Sequence, residues 1–180
     1  MFKKSWQLTI FIILISLSAI VQFSLISAWS GLLGQINLGL LTLIFALFFF
    51  SFRITIFLVL LFGFWFDLMT FKFFGFYTIS LFATAFLGYW ILKNWLTNRS
   101  LYSFLALIFI ATTFYNFFSA LLLYFTAAEK SWFFIGQVDF WLALVYQLSW
   151  NLLAAILLFH LATSLIKKLN PFFLEKKTIL

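Results

Sequence analysis

The chain has 180 residues, of which 66% are hydrophobic, 24% aromatic and only 8% charged, and it carries a formal net charge of +7. That leaves too little polar surface to coat a water-soluble globule, so the composition excludes a soluble domain and defines an integral membrane protein. Cysteine is absent, which excludes disulfides, thiolate nucleophiles and thiolate metal sites.

The apolar runs are long and do not alternate as barrel strands do, and a hydrocarbon core needs about 20 apolar residues per helical span. The expected architecture is all-α: a single transmembrane domain, a compact bundle of about six helices. In chain order the spans cover approximately 6–27, 32–52, 54–71, 76–92, 101–125 and 140–166. The first, Trp6 to Ser27, follows Lys3 and Lys4 in the manner of a signal peptide. It is span-length, however, and ends in Ser27-Ala28-Trp29 rather than a small-residue cleavage site, so it is expected to be an uncleaved helix. The second runs from Leu32 to Phe52. In the third, the apolar stretch from Ile54 to Phe66 supplies only about 20 Å of helix, and the expected helix continues through Asp67 to Phe71.

The last three spans carry small and polar residues at helical spacing. Ser80, Thr84 and Gly88 share one face of the fourth, Thr112, Asn116 and Ser119 a stripe on the fifth, and Gln147 and Asn151 a face of the sixth. In lipid such stripes sit between helices, so these are expected to be helix-packing residues rather than a substrate path. Residues 167–180 form a basic tail that holds the single proline, Pro171.

Lysine and arginine accumulate in short cytoplasmic loops. With the N-terminus inside, Lys3, Lys4, Arg53, Lys93, Arg99, Lys167, Lys168, Lys176 and Lys177 are cytoplasmic, and only Lys72 and Lys130 of the 11 basic residues are outside. Both termini are therefore expected in the cytoplasm. The net charge reads as a topology signal and as attraction to anionic membrane lipid, and gives no argument for nucleic acid.

The acidic residues number 4 and the histidines 1. Glu129 and Asp139 belong to one outer loop, Glu175 is in the tail, and Asp139 is expected to cap the sixth helix, where the helix dipole favours an anion. His160 faces about the opposite side of its helix from Asn151. No cluster has the spacing of a catalytic, metal or cofactor site, and an enzyme is not expected. Asp67 is the exception that asks for an explanation, since it stands at the C-terminal end of the third helix, where the dipole disfavours it. Two compensating partners are open: Lys72, and the free N–H groups that begin the fourth helix. Asp67 is thus expected to latch a tight outer hairpin, with Gly75 supplying conformational freedom at the turn.

The segment Gly63-x-x-x-Asp67-Leu68, then Gly75, then a small-residue helix closing in Gly88-Tyr89, resembles the MreD family of rod shape-determining membrane proteins. The resemblance extends to the length, the near absence of extramembrane mass and the hydrophobic pattern. It implies a non-enzymatic scaffold in the bacterial inner membrane, associated with the transmembrane helix of an MreC-like protein and, through it, with MreB filaments and the glycosyltransferase and transpeptidase of lateral peptidoglycan synthesis. That family is similar in fold to the substrate-binding components of energy-coupling-factor vitamin transporters, which supply the alternative expectation.

Overall fold

The computed structural model describes Gln22 and residues 36–70, 72–96, 100–126 and 136–174, with side chains as far as His160. Among these residues there are five helices and no strand: α1 (Leu38–Phe49), α2 (Phe52–Met69), α3 (Phe76–Asn94), α4 (Leu101–Thr126) and α5 (Val138–Leu174). Helices α2, α3, α4 and the Val138–His160 part of α5 are long and apolar enough to cross a membrane. The chain is a multi-pass α-helical membrane protein. The expected first span, 6–27, lies outside the described residues apart from Gln22, as do the loop residues 127–135. Asp67 falls within α2, and α5 continues past the expected end of the sixth span, through Pro171 to Leu174.

The second span is corrected. In place of a membrane-length helix over 32–52, α1 has 12 residues, about 18 Å of helix. Its start is set by Asn37, whose side chain accepts from the Leu40 N–H at 3.0 Å, a cap that favours leaving the helix over continuing it. At its other end Phe50 and Ser51 are extended, and the chain reverses directly into α2.

Consecutive helices are neighbours from α2 through α5, and α1 packs against α2, α3 and α4. Leu40, Ile44, Phe62, Leu81, Phe104, Leu107 and Ile108 form the centre of the core. Phe48 meets Phe104 with ring centroids 5.0 Å apart, a separation at which tilted aromatic pairs attract. Phenylalanine also supplies the exterior, where Phe57, Phe64, Phe82 and Phe86 are exposed, as suits a surface bathed in lipid.

The N-terminus of α1 is buried well inside the bundle, with Asn37 only 8% exposed and Leu40 fully covered. The Asn37 N–H donates to Asn151 Oδ1 in a long bond of 3.4 Å, and Asn151 lies about 20 Å along α5 from its start. A helix end at that depth must have its polar groups satisfied by protein. Gln22 does so bidentately: its Oε1 accepts from the Leu38 N–H and its Nε2 donates to the Ile36 carbonyl, both at 2.7 Å. Gln22→Leu, of similar size, leaves both backbone groups without these partners. The expected loss is about 1–3 kcal/mol, read as a lowered thermal unfolding midpoint of the detergent-purified protein.

Candidate functional site

The family-like segment builds the turn between α2 and α3. Asp67, 5% exposed, accepts from the Tyr77 N–H at 2.7 Å, the Thr78 N–H at 3.3 Å and the Thr78 hydroxyl at 2.6 Å. Phe76 is the first helical residue of α3 and Gly75 its N-cap, without a capping side chain of its own. The carboxylate therefore takes the place of the missing cap from a neighbouring helix, satisfying first-turn amides where the dipole is positive. These donors offset the unfavourable position of Asp67 at the C-terminal end of α2.

Two glycines make this approach feasible. Gly75 has φ of 98°, a left-handed conformation that side-chain-bearing residues seldom adopt, and it turns the chain from the loop into α3. At Gly63, one turn before Asp67, an added Cβ would come within 2.6 Å of both Thr78 Cα and Thr78 Oγ1. Gly63 and Asp67 thus act on the same residue: the glycine lets the backbone of α3 close on α2, and the aspartate fastens it there.

Lys72 was one of the two candidate partners for Asp67, and the structure assigns it elsewhere. Its ammonium lies 4.2 Å from the Phe76 ring centroid and 5.2 Å from that of Tyr77, within cation–π range. The amides and hydroxyl of the next helix meet the carboxylate more directly. Lys72 is a clasp on the outside of the same turn.

A polar seam continues inward from the latch. Ser80 donates to the Phe76 carbonyl and receives the Ser119 hydroxyl at 3.2 Å, joining α3 to α4. Thr84 bonds back to Ser80 of its own helix. Asn116 donates to Gln147 at 2.6 Å and to the Thr112 carbonyl at 2.8 Å, while Asn151 donates to the Thr112 hydroxyl at 3.3 Å, joining α4 to α5. The Tyr115 hydroxyl lies beside Asn37 and Ser119. No buried side-chain nitrogen or oxygen among the described residues lacks a hydrogen-bond partner, which is the condition polar groups must meet in lipid.

The remaining sequence-singled residues divide between inside and outside. Gly88 is buried, and a Cβ there would meet Leu47 at 3.0 Å and Leu107 at 3.8 Å, so it belongs to the contact of α3 with α1 and α4. Leu68 faces out, 55% exposed, and Tyr89 stacks on Phe52 at a centroid distance of 4.2 Å. Asp139 lies within the first turn of α5, after Val138, rather than at its cap; the dipole still favours it there. His160 is exposed, with Nδ1 2.9 Å from the Ile156 carbonyl. Gln22, Asn37 and Thr78 share the structural work without standing in any stripe, and Tyr115 joins them from the face of Thr112 and Ser119. A polar residue just before an apolar run is the signal for Asn37, whereas Thr78 and Gln22 are recognisable only once their partners are placed.

The architecture defines the class as a multi-pass helical membrane protein whose polar residues bind its helices to one another. Comparison with known proteins goes no further, since no family model, no curated protein and no solved structure matches the chain.

Asp67→Leu removes the acceptors of the Tyr77 and Thr78 amides and of the Thr78 hydroxyl and is expected to cost about 1 kcal/mol or more, whereas Asp67→Asn keeps one acceptor oxygen and is expected to be milder. Thermal unfolding of the two purified variants, side by side, reads the difference. Gly63→Ala is expected to lose about 1–3 kcal/mol because the atom it meets is backbone and cannot swing aside; the same unfolding assay checks it.

Proposed function

We propose that the chain is a non-enzymatic membrane scaffold of the MreD type, which binds the transmembrane helix of an MreC-like partner in a bacterial inner membrane and so couples cytoplasmic MreB filaments to lateral peptidoglycan synthesis. The observation that carries this reading is the turn itself. The family-like residues Gly63, Asp67 and Gly75 converge on one hairpin, where the glycines allow close approach and turning and the aspartate satisfies first-turn amides. A motif used in this way maintains a helix arrangement, which suits a scaffold.

The polar seam supports the same reading, because its side chains are engaged with one another between helices. A vitamin-binding component, the competing reading, would instead direct several polar groups into an outer cavity. With the polar groups turned inward, a partner helix meets outer faces such as Phe57, Leu60 and Phe64 on α2 or Phe82, Phe86 and Trp90 on α3. Apolar area alone gives little drive for association in lipid, so the contact would depend on close shape matching. Both termini are cytoplasmic in this reading, on the strength of the basic-residue asymmetry.

Co-expression with an MreC-like transmembrane helix, followed by purification in nanodiscs, is expected to recover a stoichiometric complex and no bound vitamin by native mass spectrometry. A folded protein that ignores the helix and carries a small-molecule adduct would replace the scaffold with the transporter component. The orientation has its own check in this cysteine-free chain. An impermeant thiol reagent applied to intact cells is expected to label a single cysteine introduced at Lys130 and to leave one at Lys177 unlabelled.

A further inference from the structure

At the end of α2 and α3 opposite the Asp67 latch, the α1–α2 reversal and the last turn of α3 enclose an open cavity of about 420 Å³. One part of its lining is polar, from Ser51, Tyr89 and Lys93, and another is apolar, including Leu47, Leu92 and Leu96. Phe52, stacked on Tyr89, also lines the cavity. Ser51 makes no side-chain capping bond to α2, so its hydroxyl remains available to a ligand.

The charge here is one-sided. Lys93 lines the cavity and Arg53 stands on the first turn of α2. The carboxylates among the described residues, Asp67 and Asp139, lie at the opposite ends of these antiparallel helices, Asp67 near the end of α2 and Asp139 at the start of α5. A second observation sets the depth of the cavity. Trp95, 70% exposed, follows α3 directly and lies 5.4 Å from Trp90 between ring centroids; exposed tryptophans at a helix end mark the headgroup level of a bilayer.

We propose that this cavity is a binding site for an anionic phospholipid, with the headgroup phosphate at Lys93 and Ser51 and the upper acyl segment against the leucines. Both a free phosphate and a lipid phosphodiester satisfy the polar part. The apolar walls favour the lipid, because only the lipid has hydrocarbon to place against them. The site is independent of the proposed scaffold role, since its evidence lies at the other end of the hairpin and involves no partner protein.

The full chain is reconstituted in nanodiscs containing equal phosphatidylglycerol and phosphatidylcholine, released gently, and its retained lipid counted by native mass spectrometry. Wild type is expected to retain phosphatidylglycerol over phosphatidylcholine by about fivefold, the scale of one basic side chain at an anionic surface. Lys93→Gln is expected to bring that ratio close to one, Lys93→Arg to keep it, and Lys72→Gln at the far end to leave it unchanged. Inorganic phosphate added during release is expected not to displace the lipid. An unaltered preference in Lys93→Gln, an equal loss in Lys72→Gln, or displacement by inorganic phosphate would each overturn the proposal.

Discussion

Helix ends in a bilayer have no water to turn to, and this constraint determines where the chain places its scarce polar residues. The start of α1 lies inside the bundle and the start of α3 lies over a buried carboxylate. At the first, Asn37 and Gln22 satisfy the Leu40 and Leu38 amides and the Ile36 carbonyl; at the second, Asp67 satisfies the Tyr77 and Thr78 amides from across the helix pair. Both devices replace solvent with a side chain fixed by the fold. Each also joins separate segments of the chain, so that satisfying the backbone and assembling the bundle become the same event.

The seam between α3, α4 and α5 follows from the same constraint. Apolar side chains give neighbouring helices little preference for one another when lipid tails are equally apolar. Registration falls to directional contacts such as Asn116 with Gln147 and Ser80 with Ser119. The aromatic core then fills the space those contacts define. Gly88 shows the limit of this filling, since the adjoining surface is already occupied by Leu47 and Leu107. A larger residue there would have to displace the Leu47 side chain.

Much of this was legible from residue order. The helical class, the long spans and the stripes follow from hydropathy and three- or four-residue spacing, because those patterns are local. The problem posed by Asp67 was also legible, as an anion at the wrong end of a helix. Its solution depended on which donor came closest, and there the backbone of α3 prevailed over Lys72, whose ammonium is over the Phe76 ring. The length of α1 was not legible from hydropathy, since apolar residues continue on both sides of it. Asn37 stops the helix by capping it, and an apolar average over a window cannot register one side chain's hydrogen bond. Gln22 and Thr78 depend on contacts with other segments, which a linear pattern does not contain.

The helices that cross the membrane are unequal in length. Helix α2 has 18 residues and α4 has 26, or about 27 Å against about 39 Å along their axes. A flat bilayer of uniform thickness cannot match both sides of such a body. The difference is taken up by tilt of the longer helices, by thinning of the lipid beside the α2–α3 hairpin, or by both, at a cost of fractions of a kcal/mol for each ångström. Where thinning takes up the difference, the molecule carries an asymmetric collar of deformed lipid. Two bodies whose shallow sides meet share one depression in place of two, which gives the membrane itself a means of bringing such proteins together in a preferred orientation.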